Sequence, residues 1–315
     1  MMAEPSRPEL GWPDLKLIRE LGDRGSVTAV AEAGHRTPSA VSQQLKALQR
    51  RLGVRLVERT GRGLRLTDAG RALAESATGV ATALAEADAS WRRFLGEVSG
   101  TVRLAAFFSA SELFVPGLVE RVAAAHPNVA LETYDEDVSQ DDFARLIADY
   151  DIVVAHRSDD TAPPPRPDVT VVPLLREPLD VGMRLAHPLA GRTAVEPAEL
   201  VGEVWTAPPV GFPIERALVA LSARAGQPAK VVRRTTHLPL MERLVARGQV
   251  LALLPRYSTR QHADGRFALV PLAGLRAGRH IEALLRPDRA MRRVVGAVLE
   301  ELRTEAAAIT AGTTA

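Results

Sequence analysis

The chain has 315 residues, room for two domains at about 150 residues each. Its 46% hydrophobic and 25% charged residues and formal net charge of +2 belong to a folded chain rather than a disordered one. It contains no cysteine, which excludes disulfides, iron–sulfur clusters, thiolate zinc sites and cysteine nucleophiles. No apolar run reaches the ~18–20 residues needed to cross a bilayer, and the opening MMAEPSRPEL lacks the apolar core of a secretory signal. A cytoplasmic location without membrane attachment is therefore expected.

Charge is unevenly spread. Residues 36–71 carry nine cations against Glu58 and Asp68, a net of +7, whereas residues 100–160 carry twelve acids against four arginines, a net of −8. Such a division suits one segment that faces a polyanion and another that does not; a merely solvated surface is the alternative.

In chain order, Asp14 can cap a helix carrying Leu15, Ile18 and Leu21, which Gly25 stops. Ser26 can cap a second short helix with Val27, Val30 and Ala31 inward, closed at Gly34 by left-handed backbone. Thr37 is an N-cap candidate, with Pro38 at the first helical position, where its missing N–H costs nothing. This third helix runs to Leu52 and ends at Gly53. Ala40, Val41, Leu45, Leu48 and Leu52 form its apolar stripe, and Ser39, Ser42, Gln43, Lys46 and Arg50 lie opposite. Hydroxyls and an amide followed by cations suit base edges and phosphates in a major groove; the alternative is a solvated face on a structural helix. Residues 54–66, VRLVERTGRGLRL, read as two short strands around a glycine turn, with Arg62 at the tip placed for a minor groove or a phosphate. Thr67 and Asp68 then cap a long helix. Along it Leu73, Ala77, Val80, Leu84, Ala87, Trp91 and Phe94 recur at spacings of four and three, an a/d seam of about three heptads. That seam either pairs two chains or packs on the protein's own body.

From Gly100 the pattern changes. Strands are predicted at 102–106, 129–134 and 151–155, with helices at 111–125 and 141–148 between them. This β-α-β-α-β order argues for parallel pairing. A proline-rich connection, residues 163–167, leads to a second set with strands at 169–172, 179–183, 204–206, 231–235 and 250–254 and helices at 213–225 and 238–246. A strand at 280–285 and a helix at 288–303 return to the first lobe, and the chain frays from Thr304. A fold of this order binds small molecules between lobes, at the carboxyl ends of strands. Phe108, Ser109 and Ser111 stand at one strand-to-helix junction and Thr235 and Thr236 at another, so their hydroxyls either cap helices or meet a ligand. The junction at Ser109 suits a carboxylate or similar anion. His156 is either a structural donor or a sensor. Asp137, in the acidic run 135–137, is either solvated or meets a cationic group.

The run AVAEAGHRTPSAVSQQLKALQRRLGVRLVERTGRGLRLTDAG resembles the DNA-binding domain of LysR-type transcriptional regulators. GTVRLAAF, LFVPGLVERVAAAHPNV, REPLDVGMRLAHPLAG and VARGQVLALLP more loosely resemble the family's effector domain. One departure is that Thr37-Pro38-Ser39 stands where many relatives have Ser-Gln-Pro. The resemblance implies an α/β protein overall: an all-α winged helix-turn-helix at 10–67, a dimerising linker helix at 68–98, a two-lobed effector domain like periplasmic binding proteins at 100–304, and a tail at 305–315. It also implies Ser39, Ser42 and Gln43 near bases, with Ser26, Thr28, Arg36, Thr37, Pro38, Lys46, Arg50, Arg55, Arg59 and Arg62 around them on double-stranded DNA. Expected partners are this DNA, a small-molecule effector, a second copy in a homodimer or homotetramer and, for an activator, RNA polymerase. No cofactor or metal is expected, and no catalysis. The chain has no nucleophile elbow, Walker loop, dinucleotide fingerprint or H-E-x-x-H motif, and its seven histidines are scattered. A ligand-free DNA bender would not need two α/β lobes.

Overall fold

The computed structural model describes residues 9–61, 63–95, 98–163, 166–263 and 265–312. They form two compact units. The first comprises the chain up to residue 97 together with residues 166–170 and 286–293, and the second comprises the rest.

In the first unit, α1 (Trp12–Arg24) starts two residues before the expected cap. Asp14 sits in the first turn and its carboxylate accepts from the Gly11 N–H at 3.2 Å. Gly25 ends α1 with φ 64°. Ser26 caps α2 (Val27–Ala33), its Oγ accepting from the Ala29 N–H at 3.0 Å. The left-handed residue of the next turn is His35, φ 50°, and not Gly34, φ −95°. The turn closes through the Arg36 N–H on the Ala31 carbonyl at 2.8 Å. Thr37 caps α3 (Pro38–Leu52) by accepting from the Ala40 N–H at 3.2 Å. One core joins α1, α2 and α3: Leu17, Ile18, Leu21, Val30, Ala31, Val41, Leu45, Leu48 and Leu56. Each large aliphatic side chain there contributes roughly 1.5–3 kcal/mol by burial.

The hairpin β1 (Val57–Thr60) and β2 (Gly63–Leu66) pairs antiparallel. Thr67 then caps α4 (Asp68–Phe94), accepting from the Gly70 N–H at 3.2 Å. In the same unit Arg286 reaches Asp23 at 3.0 Å and Arg19 reaches Asp288 at 3.4 Å.

The second unit opens with β3 (Gly100–Ala106), α5 (Phe108–Ala125), β4 (Val129–Asp135), α6 (Phe143–Leu146) and β5 (Ile152–Ser158). Strand β3 pairs in parallel with both β4 and β5, as the alternating order requires. Helix α5 begins three residues earlier than expected and α6 is a single turn. The strands expected at 169–172 and 179–183 are one strand, β6 (Thr170–Arg184). The charged residues between them do not break it, because Arg176 pairs with Asp159 at 2.5 Å and Glu177 with Arg279 at 2.6 Å.

A 3-10 turn (Pro197–Leu200) precedes β7 (Val204–Ala207), α7 (Pro213–Ala225), β8 (Lys230–Arg234), α8 (Leu238–Ala246) and β9 (Ala252–Pro255). Next come α9 (Arg256–Ala263), β10 (Phe267–Pro271) and β11 (Gly278–Leu285). The expected last helix is two, α10 (Pro287–Ala290) and α11 (Arg293–Gly312). Helix α11 continues past Thr304 with Ala306 buried, so the expected fraying does not begin there. The main sheet has the order β10-β6-β11-β5-β3-β4, with β9 also on β6, while β7 and β8 pair in parallel separately. Strands β6 and β11 thus link two lobes. Val102, Leu104, Phe114, Leu118 and Ile152 are buried in one, and Trp205, Leu218, Leu221, Leu251 and Leu253 share a core in the other.

Two glycines in α4 meet opposite surroundings. A Cβ on Gly70 would lie 2.1 Å from the Leu56 carbonyl oxygen, which already accepts from the Thr67 N–H, whereas one on Gly79 meets nothing within 4 Å. Gly70→Ala is expected to destabilise the first unit by at least about 1–3 kcal/mol. Gly79→Ala should stabilise it by up to about 1 kcal/mol. Urea unfolding of both variants followed at Trp12 and Trp91 measures the two changes, and equal shifts would contradict this packing.

Candidate functional site

The stripe Val41, Leu45 and Leu48 is buried in the first unit's core, which turns the other face of α3 outward. Ser39, Gln43, Lys46 and Arg50 are exposed and Ser42 is half-buried. Gln43, Lys46, Arg50 and Arg55 line one shallow depression. The basic residues here sort into two groups. Arg51 pairs with Asp14, Arg65 with Glu58 and Arg71 with Asp68. Lys46, Arg50, Arg55 and Arg59 are exposed and have no ion pair among the described residues. Cations left unneutralised on one face can meet a polyanion without first breaking a pair.

The hydroxyls are more committed. Ser26 caps α2, and the Thr37 Oγ1 lies 3.0 Å from the Ser39 Oγ while capping α3. Arg36 donates to the Gln44 side chain at 2.8 Å. Thr28 and Pro38 are exposed beside them. Arg62 lies outside the described residues.

The second unit contains a cavity of about 400 Å³ lined from both lobes. Phe108, Ser109, Ser111, Asp137, His156 and Thr236 all line it. Thr235 does not; its Oγ1 accepts from the His237 N–H at 3.1 Å. Ser111 donates to Asp135 at 2.6 Å. Apolar walls come from Phe212, Ile214, Leu238 and Met241.

The main residue missed by the sequence reading is Arg279, 4% exposed, on β11. Its Nε and Nη2 donate to Glu177 Oε2 at 2.9 and 2.6 Å, its Nη2 donates to the Ser109 Oγ at 2.9 Å, and its guanidinium carbon stands 4.9 Å from the Phe107 ring centroid. Glu177, 0% exposed, also accepts from the Tyr257 and Ser258 N–H groups and the Ser258 hydroxyl. The available signal was an arginine beside an apolar run and an acid within β6, but their pairing spans a hundred residues of sequence.

His156 is packed edge-on against Phe107 and Phe143, with centroids 4.7 and 4.8 Å away. Burial, reinforced by the Arg279 charge, pushes its pKa down to about 3, so the imidazole is neutral. Burial raises the Asp137 pKa, against the opposing pull of a Thr236 hydrogen bond and Arg279. No cluster of three or more His, Asp or Glu side chains able to hold a metal ion occurs among the described residues. No helix among them is long and apolar enough to cross a membrane.

The family described as "LysR substrate binding domain" matches residues 95–307, and that described as "Bacterial regulatory helix-turn-helix protein, lysR family" matches residues 12–71. The chain is 29% identical over 277 residues to an SDS degradation transcriptional activation protein of Pseudomonas sp., covering 82% of this chain and 85% of that protein. It is 22% identical to a RuBisCO operon transcriptional regulator of Allochromatium vinosum, covering 93% and 95%. Among solved structures, a full-length OxyR variant from Pseudomonas aeruginosa aligns with a TM-score of 0.66 at 20% identity over 94% of this chain and 95% of that one. CbnR complexed with its target DNA aligns with a TM-score of 0.52 at 20% identity over 94% and 100%. At such identities the structural likeness carries the fold.

The neutral, buried His156 has a consequence for stability. Its folded pKa is depressed, so its contribution is fully present above the ordinary histidine value of 6.5 and is lost as pH falls from there toward about 3. Over that window it should steepen the fall in unfolding free energy by up to about 1.4 kcal/mol per pH unit. Denaturant unfolding at pH 6 and pH 5, compared with His156→Leu, measures this; an unchanged slope in the variant would contradict it.

Proposed function

The chain is a member of the LysR family of transcriptional regulators, and from that premise we propose that it grips duplex DNA through α3 and the neighbouring hairpin under the control of a small molecule held between its lobes. The observation that carries this reading is the sorting of charge in the first unit, with Lys46, Arg50 and Arg55 left unpaired around Gln43 and Arg59 left unpaired on the hairpin, while neighbouring arginines are neutralised. Helix α3 enters the major groove. Ser39, Ser42 and Gln43 reach base edges, and the free cations, with Ser26, Thr28, Arg36 and Arg62, hold the backbone. The second unit is not an enzyme's. Its cavity, lined by Phe108, Ser109, Ser111, Asp137, His156 and Thr236, holds the effector. The ligand shifts DNA binding only by its differential affinity for two arrangements of the protein. The protein works in the cytoplasm and, in an activating role, contacts RNA polymerase.

A second copy completes the reading. On α4, Val80, Leu84, Trp91 and Phe94 are 39%, 53%, 59% and 79% exposed at seam spacing. Large apolar side chains in such a row are covered in solution when two linker helices pair, which presents two reading heads to two half-sites.

Gln43→Ala is expected to relax base preference at one position and cost about 1–3 kcal/mol there, read by selection from random duplexes. Lys46→Ala should weaken binding to all sequences alike and reduce the salt-dependence slope by about 0.9. An unchanged preferred sequence in the first variant, or an unchanged slope in the second, removes that residue from the contact surface. Leu84→Asp should convert the oligomer to smaller species in sedimentation, and an unaltered mass would remove the seam from the interface.

A further inference from the structure

The polar groups of the cavity are of two kinds, donors and carboxylates. The chief donor is Arg279. Its Nε and Nη2 are spent on Glu177 and Ser109, while its Nη1 donates to nothing among the described residues. Glu177 cannot turn toward a ligand, since its Oε1 receives three donors and its Oε2 receives Arg279. Ser109, 8% exposed, accepts from Arg279 and donates to no acceptor among the described residues, so its proton is available. Two buried groups with unused donors therefore face the cavity, at the start of α5, where free backbone N–H groups also favour an acceptor.

The second kind is carboxylates. Glu112, Asp135 and Asp137 line the same cavity. The charge of Arg279 is already balanced by Glu177, and His156 is neutral, with its buried Nδ1 unpartnered. The lining is thus net negative although its floor offers donors. A simple carboxylic acid would satisfy Arg279 and Ser109 and be repelled by the three acids. A simple amine would satisfy the acids and leave the donors unmet, each unmet buried group carrying its desolvation cost.

Resting on the reading that this cavity is the effector site, we propose that it takes a small zwitterionic amino acid with an apolar side chain, its carboxylate on Arg279 Nη1 and the Ser109 hydroxyl and its ammonium at Asp137. The side chain lies among Phe212, Ile214, Leu238 and Met241. Asp137 is the best placed of the acids, because it is half-buried and positioned by Thr236, whereas Asp135 already holds Ser111. A cavity of about 400 Å³ has room for a leucine- or phenylalanine-sized ligand.

The test is calorimetric titration of the full chain with two matched sets: L-leucine, isoamylamine and isocaproate, and L-phenylalanine, phenethylamine and hydrocinnamate. At least one amino acid is expected to bind about tenfold or more tightly than both its decarboxylated and its deaminated partner. Asp137→Asn should narrow the gap between amino acid and acid while leaving the thermal unfolding profile in place, which a merely structural role for Asp137 would not do. If in both sets an amine or acid binds as well as its amino acid, or if neither amino acid binds, the proposal is overturned while the cavity remains the effector site. The effector reading falls separately, if folded Ile214→Trp, which fills the cavity, leaves the response of DNA binding to a small-molecule cell extract unchanged.

Discussion

A single buried ion pair, Glu177 with Arg279, governs the second unit. Both partners come from the strands that link the lobes, β6 and β11, and both are almost wholly removed from water. Removing either would strand the other, at a cost of about 3–5 kcal/mol. The pair survives because its other polar atoms, save the Arg279 Nη1, are met: the backbone at the start of α9 and the Ser258 hydroxyl serve Glu177, and Ser109 at the start of α5 serves Arg279. The unmet donors turn toward the cavity. The same interaction that holds four elements in register therefore also sets the polarity of the cavity floor.

The first unit rests on a complementary arrangement, in which burial leaves charge outside. Packing of Val41, Leu45 and Leu48 against α1 and α2 settles which face of α3 meets water. Local acids then neutralise Arg51, Arg65 and Arg71, which concentrates unspent charge near Gln43. Net charge alone would not have separated these two groups of cations. Geometry does, because an ion pair needs a particular neighbour and not an average composition.

The helices of the first unit were readable because their signals are local. Ser26, Thr37 and Thr67 each cap the helix that follows within three residues, and Gly25 and Gly53 end helices in left-handed backbone. The left-handed turn was misplaced onto Gly34 because glycine is the usual occupant and His35 carries no such mark. In the second unit the parallel order and the junctions at Ser109 and Thr236 were legible from alternation. The unbroken β6 was not, since Arg176 and Glu177 look like a loop until their partners Asp159 and Arg279 are known. Helix α9 and strand β10 were missed for a related reason: α9 is short and polar, and its start is fixed by Glu177, some eighty residues earlier in the chain. Arg279 escaped because its role exists only in the folded pair.

Two sites share one chain, an exposed cationic helix face and a polar-floored cavity, and the proposed coupling runs through the equilibrium between states that each ligand favours. Reciprocity requires that DNA alter the cavity as much as a cavity ligand alters DNA binding. The most direct measurement is amide hydrogen exchange of the full chain with and without saturating duplex DNA recovered by selection. Slowed exchange is expected along residues 37–52 and in the hairpin, with changed exchange around Phe107–Ser111 and Leu238–Met241. Unaltered exchange along residues 37–52 with DNA bound would contradict this.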